Sequence, residues 1–359
     1  MVKFSIVVPC YNVGSYLHFC LDSVLAQSCA DWECLCVDDG STDDTGSILD
    51  EYALRDTRVR VFHQKNAGEG AARNTALDHA TGDYICFLDG DDAYNKDAIR
   101  LLSNAVSKYG DVDVLCFGAM HKSTDVHDGF VDSDLGDVAI TSGEMKIDSV
   151  SYRRFRLAGG CMVYNRKSMG DIRFCSKVIG ADMDMSYNMY WKAKKWTFID
   201  AAVYYYLQRD TSAIHVKPTL RSVKDAIDLE LELVQKLIAN RSRWTLPDMQ
   251  DFLRWDASFT YYTFRSMFFA LPNHEMQKCL PTWLKVQHEL WKIGGYPLKF
   301  KIKTALITIC PLAVTVRLVT RLIGGLDRRT AGLRSRIYKL GMRGSDPIEY
   351  VGLNMSRRG

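Results

Sequence analysis

Apolar residues run almost without alternation at four places in the first ninety positions: Phe4 to Val8, Trp32 to Val37, Val59 to Phe62 and Tyr84 to Leu88. Consecutive apolar positions suit strands covered on both faces. Between them the period changes. Leu17, Leu21, Val24 and Leu25 fall at helical spacing after Pro9 and a possible N-cap at Ser15. Thr42 or Asp43 can cap a helix through Ile48 and Leu49, and the Gly-rich turn Lys65 to Gly70 leads into Ala71, Ala72, Ala76 and Leu77. Strand and helix thus alternate four times, which predicts an α/β fold with a doubly wound, mostly parallel sheet.

Further on, the pattern predicts a helix from Asn95 to Tyr109 and strands at Val112–Phe117 and Gly159–Tyr164. A helix over Met185–Lys194 and strands at Trp196–Ile199 and Val203–Leu207 follow, while Met120 to Ile140 is polar, acidic and uninformative. From about Pro218 the character is helical. Val223, Ile227, Leu231, Val234, Leu237 and Ile238 mark one amphipathic helix, and Phe252, Trp255, Phe259, Tyr262 and Phe268 an aromatic second. Thr304 to Val316 is apolar but broken by Pro311 and bounded by Arg317 and Arg321. That is too short for the roughly 20 apolar residues of a spanning helix. It suits a helix lying in a membrane interface among basic residues. The expected division is 1–217, an α/β domain; 218–295, a helical extension; and 296–359, a basic amphipathic tail.

Composition is ordinary for a globular chain of 359 residues, with 47% hydrophobic and 25% charged positions. Eleven cysteines are scattered without a CxxC pair, several inside apolar runs. They read as reduced, buried thiols, and with a strand starting at Phe4 they predict a cytoplasmic protein without a signal peptide. The net charge of +3 hides an asymmetry: from Lys299 onward thirteen basic residues face three acidic ones, a net +10 against −7 elsewhere. A tail of that charge would bring the chain to the inner face of the cell membrane as a peripheral protein. No nucleic-acid partner is expected.

The polar residues concentrate where the strands end. Tyr11 and Asn12 follow the first strand, Asp38 and Asp39 the second, Lys65 to Gly70 the third, and Asp89-Gly90-Asp91-Asp92 the fourth. In a parallel sheet these ends share one edge, where such folds bind ligands. Three carboxylates within four residues repel one another, and a divalent cation with hard oxygen ligands, Mg²⁺ or Mn²⁺, relieves that repulsion. Tyr11 suits stacking on a base. Asp38 and Asp39 suit hydrogen bonds to base or ribose, and Arg73 can face a diphosphate.

Five segments carry a resemblance. Ser5-Ile6-Val7-Val8-Pro9-Cys10-Tyr11-Asn12, Val37-Asp38-Asp39-Gly40-Ser41-Thr42-Asp43, Asn66-Ala67-Gly68, Ala72-Arg73-Asn74 and Phe87-Leu88-Asp89-Gly90-Asp91-Asp92 occur in the order and spacing of family 2 glycosyltransferases. The similarity covers roughly residues 3 to 215. It implies the GT-A fold and transfer of one sugar from a nucleotide-diphosphate donor, usually a UDP-sugar, with inversion and with Mg²⁺ or Mn²⁺. The acceptor would be a hydroxyl of a glycan or a lipid-linked molecule in surface polysaccharide synthesis. By the same resemblance Pro9, Tyr11 and Asp39, helped by Asp38, hold the base, and Arg73 orients nucleotide or phosphate. Asn12, Lys65, Gly68 and Gly90 lie in the matching donor-site loops. Asp91 contacts the metal, Asp89 shares that element and faces ribose or sugar, and Asp92 lies at the edge of the donor site. The family's catalytic base belongs to a Glu-Asp pair. Here Ala181 replaces the Glu and Asp182 keeps the position of the base, with Asp184 a second choice. Arg209 falls in a Tyr-x-x-Arg segment that borders the diphosphate, and His215 could approach the metal.

Other classes fit less well. A nucleotidyltransferase would place a Gly-rich basic loop straight after the first strand, and a dinucleotide oxidoreductase a GxGxxG; Tyr11-Asn12-Val13-Gly14 is neither. A non-catalytic nucleotide-sugar binding module stays open because of Ala181. A processive synthase would resemble chains with a Gln-x-x-Arg-Trp segment, which is missing here.

Overall fold

The computed structural model describes residues 2–144, 161–176, 181–209, 219–245, 247–249 and 271–292. The expected aromatic helix at 252–268, the hinge at 159–160, His215 and the basic tail lie outside these residues.

Among the described residues nine strands form one sheet: β1 Phe4–Cys10, β2 Trp32–Asp38, β3 Val59–His63, β4 Tyr84–Phe87, β5 Ala93–Tyr94, β6 Val114–Ser123, β7 Ile140–Glu144, β8 Met162–Asn165 and β9 Lys195–Leu207. The order is β3-β2-β1-β4-β8-β6-β9-β5, with β7 paired to β9. The half β3-β2-β1-β4 is wholly parallel, as the uninterrupted apolar runs predict. Every residue of β1, β2 and β4 is buried. The other half is mixed: β8 runs antiparallel to both β4 and β6, while β6 and β9 are parallel. The two expected strands at 196–199 and 203–207 are one, because β9 crosses Asp200 and Ala201 without a break while pairing β6, β7 and β5.

Helices α1 Gly14–Leu25, α2 Thr45–Arg55, α3 Glu69–His79 and α4 Ala98–Tyr109 follow the first four long strands, and α5 Arg166–Met169 and α6 Ala181–Lys192 precede β9. One expected cap is corrected: helix α1 begins at Gly14, so Ser15 lies inside it. Helix α2 begins at Thr45 behind Asp44, and Asp43, one of its two expected caps, accepts through Oδ1 from Thr45 N at 3.0 Å. Their polar groups are used crosswise: Thr45 Oγ1 accepts from Val13 N at 2.9 Å and Asp43 Oδ2 from Gly14 N at 3.0 Å. One loop thereby satisfies the orphan amides of the other's helix.

Contacts divide the chain into two compact units, Met1–Lys146 with Ser151–Val216, and Ile147–Val150 with Lys217–Gly359. The first holds the sheet. In the second, α7 Leu220–Ala239 and α8 Asn273–Lys292 pack together. Helix α7 starts on a Thr219–Ser222 capping box and buries Val223, Ile227, Leu233, Val234 and Leu237. Among the described residues no helix is long and apolar enough to cross a membrane.

Candidate active site

Strands β2 and β3 lie on one side of β1 and β4 on the other. The gap beyond the ends of β1 and β4 is therefore the topological switch point of the parallel half. The loops after these four strands meet there. Gly90 is what lets them close up: a Cβ on it would stand 3.1 Å from Val13 Cγ2, 3.2 Å from Cys10 Sγ and 3.3 Å from the carbonyl oxygen of Pro9.

One wall is held by backbone amides. Asp39, buried, accepts through Oδ1 from Gln64 Nε2 at 2.7 Å and Ala67 N at 2.8 Å, and through Oδ2 from Gly68 N at 2.8 Å. These bonds fix the turn before α3, where Gly68 stands at φ +93° and Lys65 is exposed. Asp38 accepts from Ser41 N at 2.9 Å and pairs with His63 Nδ1 at 3.1 Å; His63 Nε2 reaches Asp50 at 3.0 Å. Enclosure raises the Asp38 carboxyl, but hydrogen bonds from Ser41 and His63 outweigh it and leave the pKa lowered. His63 is shifted the other way, upward, first by Asp50 and then by Asp38. Ser41 Oγ in turn accepts from Asn12 N at 3.0 Å, and Asn12 Oδ1 from Thr42 N at 2.8 Å. Asn12 needs those anchors because its φ of +52° is one that few non-glycine residues hold. Next to it Tyr11 is 50% exposed, an aromatic face at the cleft, and Pro9 is buried in β1.

The other wall is charge against charge. Arg73, 6% exposed, donates from Nη2 to Asp89 Oδ1 at 2.7 Å and to Glu69 Oε1 at 2.5 Å. Its guanidinium lies 5.1 Å from the Phe174 ring and 5.9 Å from that of Phe87, and its buried Nε has no hydrogen-bond partner among the described residues. Burial alone would lower the Arg73 pKa; Glu69, Asp89 and Asp182 raise it instead. Asp182, exposed in the first turn of α6, is thus close enough to act on both Arg73 and Glu69. Asp184 is buried. Glu69 is half-exposed, yet it stands in a concave cleft whose walls displace bulk solvent. That enclosure, Asp89, Asp182 and Asp91, opposed by Arg73, push its carboxyl up to about 7. At the far end Arg209 Nε donates to Asp91 Oδ2 at 2.6 Å, and its Nη2 joins the same oxygen. Enclosure and Asp89 still raise the Asp91 pKa against that pull.

The expected placement of Asp92 is corrected. It is 1% exposed and turned inward, accepting from the Tyr204 hydroxyl at 2.7 Å and Leu207 N at 2.9 Å. Burial, then Asp89 and Asp91, push its carboxyl up to about 9. Tyr204 also accepts from Asp89 N at 3.2 Å, so Asp92 ties β9 under the acidic turn instead of lining the cleft.

The cleft therefore gathers Tyr11, Asn12, Asp38, Asp39, Lys65, Gly68, Arg73, Asp89, Gly90, Asp91, Asp182 and Arg209 from segments up to 198 positions apart. Sequence reasoning missed three contributors. The Glu69–Arg73 pair was legible, since acid and base four apart share a helix face. Asn74, which brackets Phe174 by bonds of 2.9 and 3.0 Å and so seats that ring against Arg73, and Tyr204 carry no local signal.

Among the described residues no group of three or more His, Cys, Asp or Glu forms a ready metal cage. Asp89 and Asp91 nonetheless suit a hard cation that completes its shell with phosphate oxygens and water. Among the described residues Glu69, Asp89, Asp91 and Asp182 face two guanidiniums, those of Arg73 and Arg209, an excess of two negative charges when all are ionised, and a divalent ion matches it.

Residues 5–173 match the family described as Glycosyl transferase family 2. Glycosyltransferase GlyG of Streptococcus pneumoniae is 30% identical over 239 residues, 63% of this chain and 77% of that protein. Glycosyltransferase GlyA of the same organism is 27% identical over 66% of this chain, and the uncharacterised Bacillus subtilis glycosyltransferase EpsJ is 40% identical over 34%. The chain spans 35% of the length of each of those two. In architecture it is similar to S. aureus TarS 1-349 in complex with UDP-GlcNAc, with a TM-score of 0.71 over 90% of this chain and 92% of that one at 19% identity.

Proposed function

This chain belongs to glycosyl transferase family 2, and from that premise we propose that it transfers a single sugar, with inversion, from a nucleoside diphosphate donor to a hydroxyl of a glycan or lipid-linked acceptor in surface polysaccharide synthesis. The observation that carries this reading is the convergence of Asp89, Asp91, Arg73, Arg209 and Asp182 on one cleft beside Tyr11 and Asp39. The exposed ring of Tyr11 offers a stacking face for a base. UDP-sugars are the first donors to test, since TarS, of similar fold, was crystallised with one.

In this reading Asp182 accepts the proton of the attacking hydroxyl, a contribution typically worth 10²–10⁴-fold. Its neighbour Arg73 holds Asp89 in place. Arg209 and Arg73 supply positive charge where the diphosphate departs. Asp91 and Asp89 would hold a Mg²⁺ or Mn²⁺ ion, which when bound supplies Lewis-acid stabilisation to the leaving diphosphate. The Asp39 clamp fixes the turn before α3 and keeps that side of the cleft rigid. The +10 tail would hold the protein at an anionic membrane surface, near a lipid-linked acceptor.

A panel of UDP-, GDP- and other nucleotide sugars, assayed for release of nucleotide diphosphate with Mn²⁺ and with chelator, tests the proposal. Chelator-sensitive turnover of one donor supports it; no turnover of any donor with any acceptor hydroxyl overturns it. Co-sedimentation with anionic vesicles, lost when residues from 296 are removed, checks the tail.

A further inference from the structure

Both carboxylates of the Asp-Gly-Asp turn are already occupied by arginines, and the two arginines are held differently. Arg73 is shared with Glu69, flanked by two aromatic rings and 7% accessible by side chain. It is locked. Arg209 enters from the residues just past β9, is 21% accessible, and lies 4.9 Å above the Tyr16 ring. Two of its nitrogens converge on one oxygen, Asp91 Oδ2, on a carboxylate only 16% accessible.

Resting on the reading that the cleft takes a diphosphate with a divalent ion, we propose that Arg209 is the resident counter-ion of Asp91 and admits the cation only together with the diphosphate. A doubly charged ion arriving alone at Asp91 meets a guanidinium already on the oxygen it needs, in an enclosed site where like charges repel strongly. A diphosphate removes that conflict. Its oxygens match the guanidinium fork at least as well as a carboxylate does, so Arg209 exchanges carboxylate for phosphate and Asp91 exchanges guanidinium for the ion. Asp91 and Arg209 each face an opposite charge in either state. The coupling is reciprocal: nucleotide tightens the metal and metal tightens the nucleotide by the same factor. Arg73 cannot play this part, because its buried guanidinium already serves two carboxylates.

The test titrates Mn²⁺ against the full chain by the paramagnetic resonance of free Mn²⁺, alone and with saturating UDP or, separately, GDP. Wild type is expected to bind Mn²⁺ weakly alone and roughly 5–150-fold more tightly with the preferred nucleotide. Arg209→Gln should bind Mn²⁺ alone about tenfold more tightly than wild type and lose most of the nucleotide enhancement. Arg209→Lys keeps the charge but not the fork, so it should stay weak for Mn²⁺ alone and gain less from nucleotide. It serves equally if the Gln variant fails to fold. Equal Mn²⁺ affinity of wild type and Arg209→Gln without nucleotide, with the enhancement retained, overturns the role of Arg209 and leaves the donor reading standing. No binding of Mn²⁺ with either nucleotide to wild type overturns the donor reading, and the proposal with it.

Discussion

The two walls of the cleft use the same residue type in opposite ways. Asp38 and Asp39 spend their oxygens mainly on backbone amides and on neighbouring side chains, among them His63 and Gln64, so their charge is consumed in shaping loops. Among the described residues the ion-pair partners of Asp89, Asp91 and Glu69 are guanidiniums, and Asp182 stands exposed beside them. A carboxylate bonded to its own fold is committed. One paired with a part-exposed or shared guanidinium can be redirected when a ligand brings new charge. Rigidity on the first wall and exchangeable charge on the second divide positioning from chemistry.

The contrast can be broken in graded steps. Asp182→Asn should cost about 10²–10⁴-fold in transfer rate while leaving nucleotide affinity, by calorimetry, nearly unchanged; turnover like wild type removes Asp182 from the reaction. Arg73→Met leaves the part-exposed Asp89 and Glu69 without their shared cation, and should lower folding stability by about 1–3 kcal/mol in denaturant titrations. A loss below about 1 kcal/mol would mean that solvent, not Arg73, satisfies those carboxylates. Asp39→Ala removes three acceptor bonds from one turn and orphans the amides of Ala67 and Gly68. We expect about 1–3 kcal/mol of destabilisation and faster hydrogen exchange confined to residues 64–70. The smallest effect belongs to His63. Its pKa is raised in the folded state, so its contribution is fully present below the unfolded value of about 6.5 and fades as pH rises through the folded value. Wild type should therefore lose a small margin over His63→Gln in thermal unfolding on going from pH 6 to 8. A margin that grows with pH reverses the assignment.

How much of this was legible in the sequence follows the same divide. The parallel half, its crossovers and the four polar strand ends were readable because each strand is a continuous apolar run and each turn has its own local chemistry. Glu69 beside Arg73 could have been read from spacing alone. Asp92 was misplaced because three acids within four residues look alike in a string, while bonds from Tyr204 and Leu207 of β9 hold one of them in the core. The cap of α1 was misassigned for a related reason: local capping rules do not see a partner loop about 30 residues away.

Sequence by itself determined the alternation of elements, the family, and the residue types that reach the sheet edge, since all of these depend on neighbours along the chain. Only the tertiary structure decided which carboxylate meets which arginine. Asp91 and Arg209 are 118 positions apart, and Asp182 acts on Arg73 across a similar span. Pairing of that kind is set by how β9 and α6 return to the sheet, because electrostatic interaction depends on distance in space and on what solvent is excluded, neither of which is written in the order of residues.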